Sequence, residues 1–211
     1  MTERARENPA EGLAIGFRVK SGYAVAVVLA GPAAAPQPLA RAVIDLSDPK
    51  VAGTRQPYHD GFYQSEQDER AIARRVSVVK RCAVRSVAAL VGEVRSIAPS
   101  GKGRARSIRA GLAVGSLIDP ATVGNPHIRA HANEGRLFRT VLEDALRAHG
   151  IDSDVIVEKQ MAERAATELA RSPASIARAI KGFGNALEGP WRADEKAAAT
   201  AAWLALTRPA T

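Results

Sequence analysis

Two hundred and eleven residues, 22.3 kDa, suffice for one α/β domain with a sizeable core, and 46% apolar with 25% charged residues excludes a largely disordered or collagenous chain. The single cysteine, Cys82, excludes an internal disulfide and a cysteine-rich zinc module. Thirty Lys and Arg against 22 Asp and Glu leave a net charge of +8, which suits an anionic partner and equally an arginine-rich solvated surface.

Residues 1–11 are polar and without periodicity, so they are expected to form a flexible tail ahead of one domain spanning 12–208. LAIGFRVK and YAVAVVLAG, parted by Ser21-Gly22, predict a β-hairpin; LARAVIDLS predicts a third antiparallel strand after the loop GPAAAPQP. Residues 48–65, rich in Pro, Gly and aromatics, predict an irregular connection long enough to serve a function if ordered. From 67 to 98, Ile72, Val76, Val79, Ala83, Val87, Leu90, Val94 and Ile97 step by three or four and predict a long helix with one buried stripe, ended by Pro99 and Gly101.

The basic loop SGKGRARS leads into SIRAGLAVGSL, a predicted fourth strand. Asn125-Pro126 predicts the capped start of a helix running to Gly150, and VIVEKQ predicts a fifth strand. An alanine-rich helical stretch follows, then a helix opened by Ser172-Pro173, a glycine-rich break and a last helix through DEKAAATAAWLAL. The most apolar run, 23–35, contains Gly31 and Pro32 and falls short of the roughly 18 residues of a membrane span. The opening MTERARENPAEG lacks the order of a signal peptide, so the expected location is cytoplasmic.

This order of elements, with LAIGFRVKSGYAVAV at the start and the acidic-then-alanine helix at the end, resembles the ribonuclease H-like superfamily and, remotely, its Holliday-junction resolvase branch. The resemblance implies a mixed five-stranded sheet, three antiparallel strands then two parallel, flanked by helices. It also implies two divalent cations held by acids at the ends of the first and fourth strands and on the first turn of the last helix. In this chain Arg18, or Phe17 with a one-residue slip, stands at the first of those positions, and Gly115 and Ser116 at the second. Asp194, with Glu195 as the alternative, stands at the third. The acidic centre is thus depleted, and a two-metal pair is not expected. Asp194 reads either as a remnant of the site or as a helix N-cap; Arg18 reads either as the partner of Asp194 or as a phosphate contact.

His127, His131 and Glu134, spaced i, i+4, i+7, share one helix face. They read either as ligands for a divalent ion, with His131 as general base and Glu134 as its orienter, or as a partly buried histidine satisfied by Glu134. Arg70, Arg74, Arg81, Arg85 and Arg95 fall within an arc of about 80° opposite the apolar stripe of the long helix. With Lys102, Arg104 and Arg106 of the basic loop they form a candidate phosphate-contacting surface; the alternative for the ridge is an ordinary solvated face. Trp191 and Trp203 read as core anchors.

The leading functional expectation is a basic, resolvase-like pseudo-enzyme contacting DNA or RNA non-specifically. The alternatives are a metal-assisted phosphoesterase rebuilt around His131, Glu134 and Asp194, and a scaffold binding protein through the long helix or the 48–65 loop.

Overall fold

The computed structural model describes residues 12–61, 64–98 and 107–208. The strands β1 (Leu13–Lys20), β2 (Tyr23–Ala30), β3 (Gln37–Asp45), β4 (Ile108–Val114) and β5 (Ser153–Val157) form one sheet in the order β3-β2-β1-β4-β5. β1 runs antiparallel to β2 and parallel to β4, β2 antiparallel to β3, and β4 parallel to β5. The fold is therefore the mixed five-stranded α/β arrangement that the sequence predicts. β1 and β2 are almost wholly buried because both faces of the sheet are covered, which is why they read as continuous apolar runs rather than alternating ones. β3 starts two residues before the predicted Leu39; Pro38 is tolerated because β3 is an edge strand and its pairing shifts register opposite Val28 and Leu29.

One face of the sheet carries α1 (Glu69–Ile97) and α2 (Pro126–Arg147), with Phe17, Leu112, Val87, Val94, Phe138 and Leu142 at the centre of that core. The Asp68 side chain caps α1, accepting from Arg70 N at 2.8 Å, so the helix begins two residues later than the predicted start at 67. Asn125 caps α2 as predicted, accepting from Ile128 N at 3.1 Å.

The other face carries α3 (Met161–Glu168), α4 (Pro173–Ala186) and α5 (Ala193–Leu206). Helix α5 is buried along almost its whole length, so it shows no polar face. Its alanines lie directly on the strands where Gly16 and Gly111 pair across β1 and β4. A side chain at Gly16 would collide with the backbone of Ala198 and Ala202, and one at Gly111 with that of Ala201. Trp203 is fully buried and donates to Ala33 O at 2.7 Å, while the half-buried Trp191 donates to Ile180 O at 3.0 Å, so both serve the core as expected. Among the described residues no helix is long and apolar enough to cross a membrane.

Candidate functional site

The carboxyl ends of β1 and β4 point the same way because these strands are parallel. Arg18 lies two residues before the end of β1 on the α5 side, sharing the face of Gly16, and its side chain is only 9% exposed. Its Nη2 donates to Glu158 Oε2 at 2.7 Å, its Nη1 donates to Val19 O at 3.1 Å, and its Nε lies 3.8 Å from Asp194 Oδ1. Lys20 reaches the same Asp194 oxygen at 3.6 Å. The expected neighbourhood of Arg18 and the last helix is thus present. The shorter bond goes to Glu158, just past β5, which the sequence reading did not single out. Arg18, Lys20, Gly115, Ser116 and Phe138 line a cleft of about 230 Å³ at this end of the sheet.

Asp194 is not the N-cap of α5. Arg192 holds that place, and its backbone N–H donates to Glu195 Oε2 at 2.8 Å in a capping box. Glu195 is buried and takes two further bonds from Arg41, at 2.9 and 3.2 Å. Burial pushes the Glu195 carboxyl up, but Arg41 and the helix-start backbone N–H groups outweigh it and hold the group below its ordinary value. Glu195 therefore fastens β3 to α5 rather than facing the cleft.

On the opposite face of the sheet, α2 and the 48–65 connection build a second polar centre. The described part of that connection is held by side-chain hydrogen bonds. Thr54 is buried and its hydroxyl donates to Asp48 O and Val51 O at 2.8 and 2.9 Å. Arg75 of α1 donates to Pro57 O and His59 O at 3.3 and 3.1 Å and pairs with Glu66 at 3.0 Å. These bonds hold His59 over α2, where its Nδ1 lies 2.7 Å from the buried Glu134 Oε1. Glu134 thus makes its short contact with His59, while the predicted partner His131 lies 3.7 Å away through Nδ1. Burial raises the Glu134 carboxyl above its ordinary value, against smaller opposing effects from His59 and the Tyr58 backbone. The three rings of His59, His127 and His131 have centroids 4.4 to 5.1 Å apart. Burial, with the neighbouring His59 and His127, lowers the His131 pKa and favours its neutral form. His59 was absent from the sequence reading because it sits in a segment without periodicity.

His131 and Glu134 therefore stand together, whereas Asp194 and Glu195 lie on the α5 side of the sheet. Arg70, Arg74, Arg81, Arg85 and Arg95 are all exposed on α1. Lys102, Arg104 and Arg106 lie outside the described residues, as do the expected tail at 1–11 and the helix-ending Pro99 and Gly101.

No known family profile matches the chain, and no curated protein matches it in sequence. Among solved structures it is similar to RuvC of T. thermophilus in complex with Holliday junction substrate, with TM-score 0.50, 11% identity, and coverage of 92% of this chain and 91% of that one. The Thermus thermophilus RuvC structure gives a TM-score of 0.49 at 11% identity, over 91% of this chain and 92% of that one. A Ppx/GppA family member of Aquifex aeolicus gives 0.36 at 11% identity, over 75% and 40%. What the chain shares with the resolvase bound to its junction is the architecture, and its fold is accordingly ribonuclease H-like.

Proposed function

We propose that this protein binds nucleic acid through phosphate contacts and does not cut it by two-cation chemistry. The observation that carries the binding half is the arginine ridge of α1. Five arginines share one exposed face, and among the described residues the ridge meets a single acid, Asp68, 3.9 Å from Arg74. Ordinary solvated helix faces mix signs, whereas a row of one sign spaced along a rod suits a polyanion. The solved neighbour was captured on Holliday junction substrate, which makes a nucleic acid the natural polyanion to test. Arginines on a helix ridge reach phosphates before base edges, so the binding is weakly sequence-specific.

The second half rests on the cleft. A two-cation clamp needs several converging carboxylates, whereas here Arg18 stands near the end of β1, Gly115 and Ser116 follow β4, and Asp194 is within pairing reach of Arg18 and Lys20. The acidic centre implied by the resemblance is thus replaced by an internal charge pair.

The test is the salt dependence of duplex binding by the full chain and by an Arg74→Ala/Arg81→Ala/Arg85→Ala variant. Each duplex phosphate contact contributes about 0.9 to the slope of log K against log salt, so the triple variant should flatten it by roughly two to three. Affinity indifferent to salt, or a slope unchanged in the variant, overturns the proposal.

A further inference from the structure

We propose that His59, His127 and His131 form a binding site for one divalent cation of the zinc class. Each ring offers one nitrogen, and the three donor atoms lie within 4.8 Å of one another. His127 Nε2 and His131 Nε2 are 3.3 Å apart. Two nitrogens bound at about 2.0–2.1 Å to one tetrahedral ion are separated by about 3.3–3.4 Å, so this pair is already spaced as an edge of such a site.

His59 supplies the independent observation. Its side chain is 4% exposed, and its Nε2 is buried without a hydrogen-bond partner among the described residues. Its Nδ1 is 2.7 Å from Glu134. With Glu134 ionised, its carboxylate only accepts, which places the proton of a neutral His59 on Nδ1 and leaves the Nε2 lone pair for a cation. Carboxylates hydrogen-bonded in this way to the far nitrogen orient and strengthen metal-binding imidazoles. A hydrogen bond between His127 and His131 would account for their spacing but would leave the buried His59 nitrogen unsatisfied, which is costly.

The donor set selects the cation. Three imidazoles suit zinc and its neighbours, whereas magnesium and calcium take oxygen ligands. His131 is half exposed and, with Ser116, Asp119, Arg136 and Arg139, lines an open groove of about 340 Å³. The groove leaves the His131 side of the cluster open to solvent. Two ligands stand one turn apart on α2, and the third is brought by the loop that Arg75 secures. Because the site draws on none of the ridge arginines, it stands or falls independently of nucleic-acid binding.

The experiment uses the full chain, free of any histidine tag and stripped with a chelator, titrated with zinc by calorimetry and with cobalt by visible absorption. The expected result is one zinc per chain, an intense cobalt spectrum of low coordination number, and a zinc-dependent rise in Tm. His127→Ala and His131→Ala alter residues outside the core and should keep the native circular dichroism while abolishing the cobalt spectrum. Glu134→Gln should weaken zinc by about 10- to 100-fold. A cobalt spectrum unchanged from the free ion, zinc binding undiminished in both histidine variants, or magnesium binding as tight as zinc would each overturn the proposal.

Discussion

The guanidinium of Arg18 lies 2.7 Å from the Glu158 carboxylate, at the strand end where the resemblance implies a cation-binding acid. With Asp194 3.8 Å away on its other side, this cation stands between two acids contributed by separate elements. Arg18→Asp should reverse that logic, because three carboxylates would then face one another. The loss should be roughly 2–3 kcal/mol, below the range for a fully buried pair because Glu158 is half exposed. Millimolar magnesium should recover part of that loss in the variant and leave the parent Tm unchanged. Chemical denaturation with and without magnesium measures both effects, and equal responses of the two proteins would refute the charge-replacement account.

The Glu195–Arg41 pair makes stability depend on acid pH. The folded pKa of Glu195 lies below the ordinary value of 4.5, so its contribution is present above that value and is lost as pH falls through the lower folded pKa. Arg41→Ala should cost about 3 kcal/mol near neutrality because it leaves a buried carboxylate without its partner. Glu195→Gln should be less stable than the parent at neutral pH and should converge on it as pH falls through the lowered pKa of Glu195. Urea midpoints across that range provide the measurement; a constant difference would refute the assignment.

Much of this architecture is legible locally. The hairpin at Ser21-Gly22, the cap at Asn125 and the stripe of α1 each follow from neighbouring residues, and the parallel arrangement follows from element order. The proximity of Arg18 and Asp194 required the resemblance, since no spacing relates a strand end to a helix start 176 positions later. Glu158 had no signal at all, being a lone acid after a five-residue strand. His59 was hidden for a different reason. Its partner Glu134 sits at i+3 from His131, so helical spacing points to the wrong histidine, and only tertiary packing of an aperiodic loop brings in the right one.

The close seating of α5 gives a paired prediction about backbone space. Gly16→Ala should be destabilising by more than about 3 kcal/mol, because the added methyl meets the backbone of Ala198 and Ala202, which cannot yield without lifting the helix. Gly92→Ala lies in an exposed turn of α1 with open space around it and should stabilise by about 0.4–1 kcal/mol. Thermal melts of the two variants should move in opposite directions. A Gly16→Ala protein as stable as the parent would contradict the observed approach of α5 to the sheet.

Magnesium-dependent cleavage of a four-way junction or a duplex should remain at the level of a no-protein control. Two-cation hydrolysis works by neutralising and orienting both the attacking and the leaving oxygen, which demands several carboxylates around the metals. In the cleft, Arg18 and Lys20 instead place two cationic side chains within 4 Å of Asp194, so a magnesium ion there would meet repulsion before it met a full ligand set. Glu158 already accepts the short Arg18 hydrogen bond, and with Asp194 it gives two carboxylates paired to cations rather than a full ligand set. Asp194→Ala should therefore leave the cleavage background unchanged while altering stability, since it removes a partner from both cations. Labelled junction and duplex substrates incubated with magnesium and the two proteins test this directly, and robust cleavage by the parent that disappears in Asp194→Ala would show that the charge-paired cleft is a working nuclease centre.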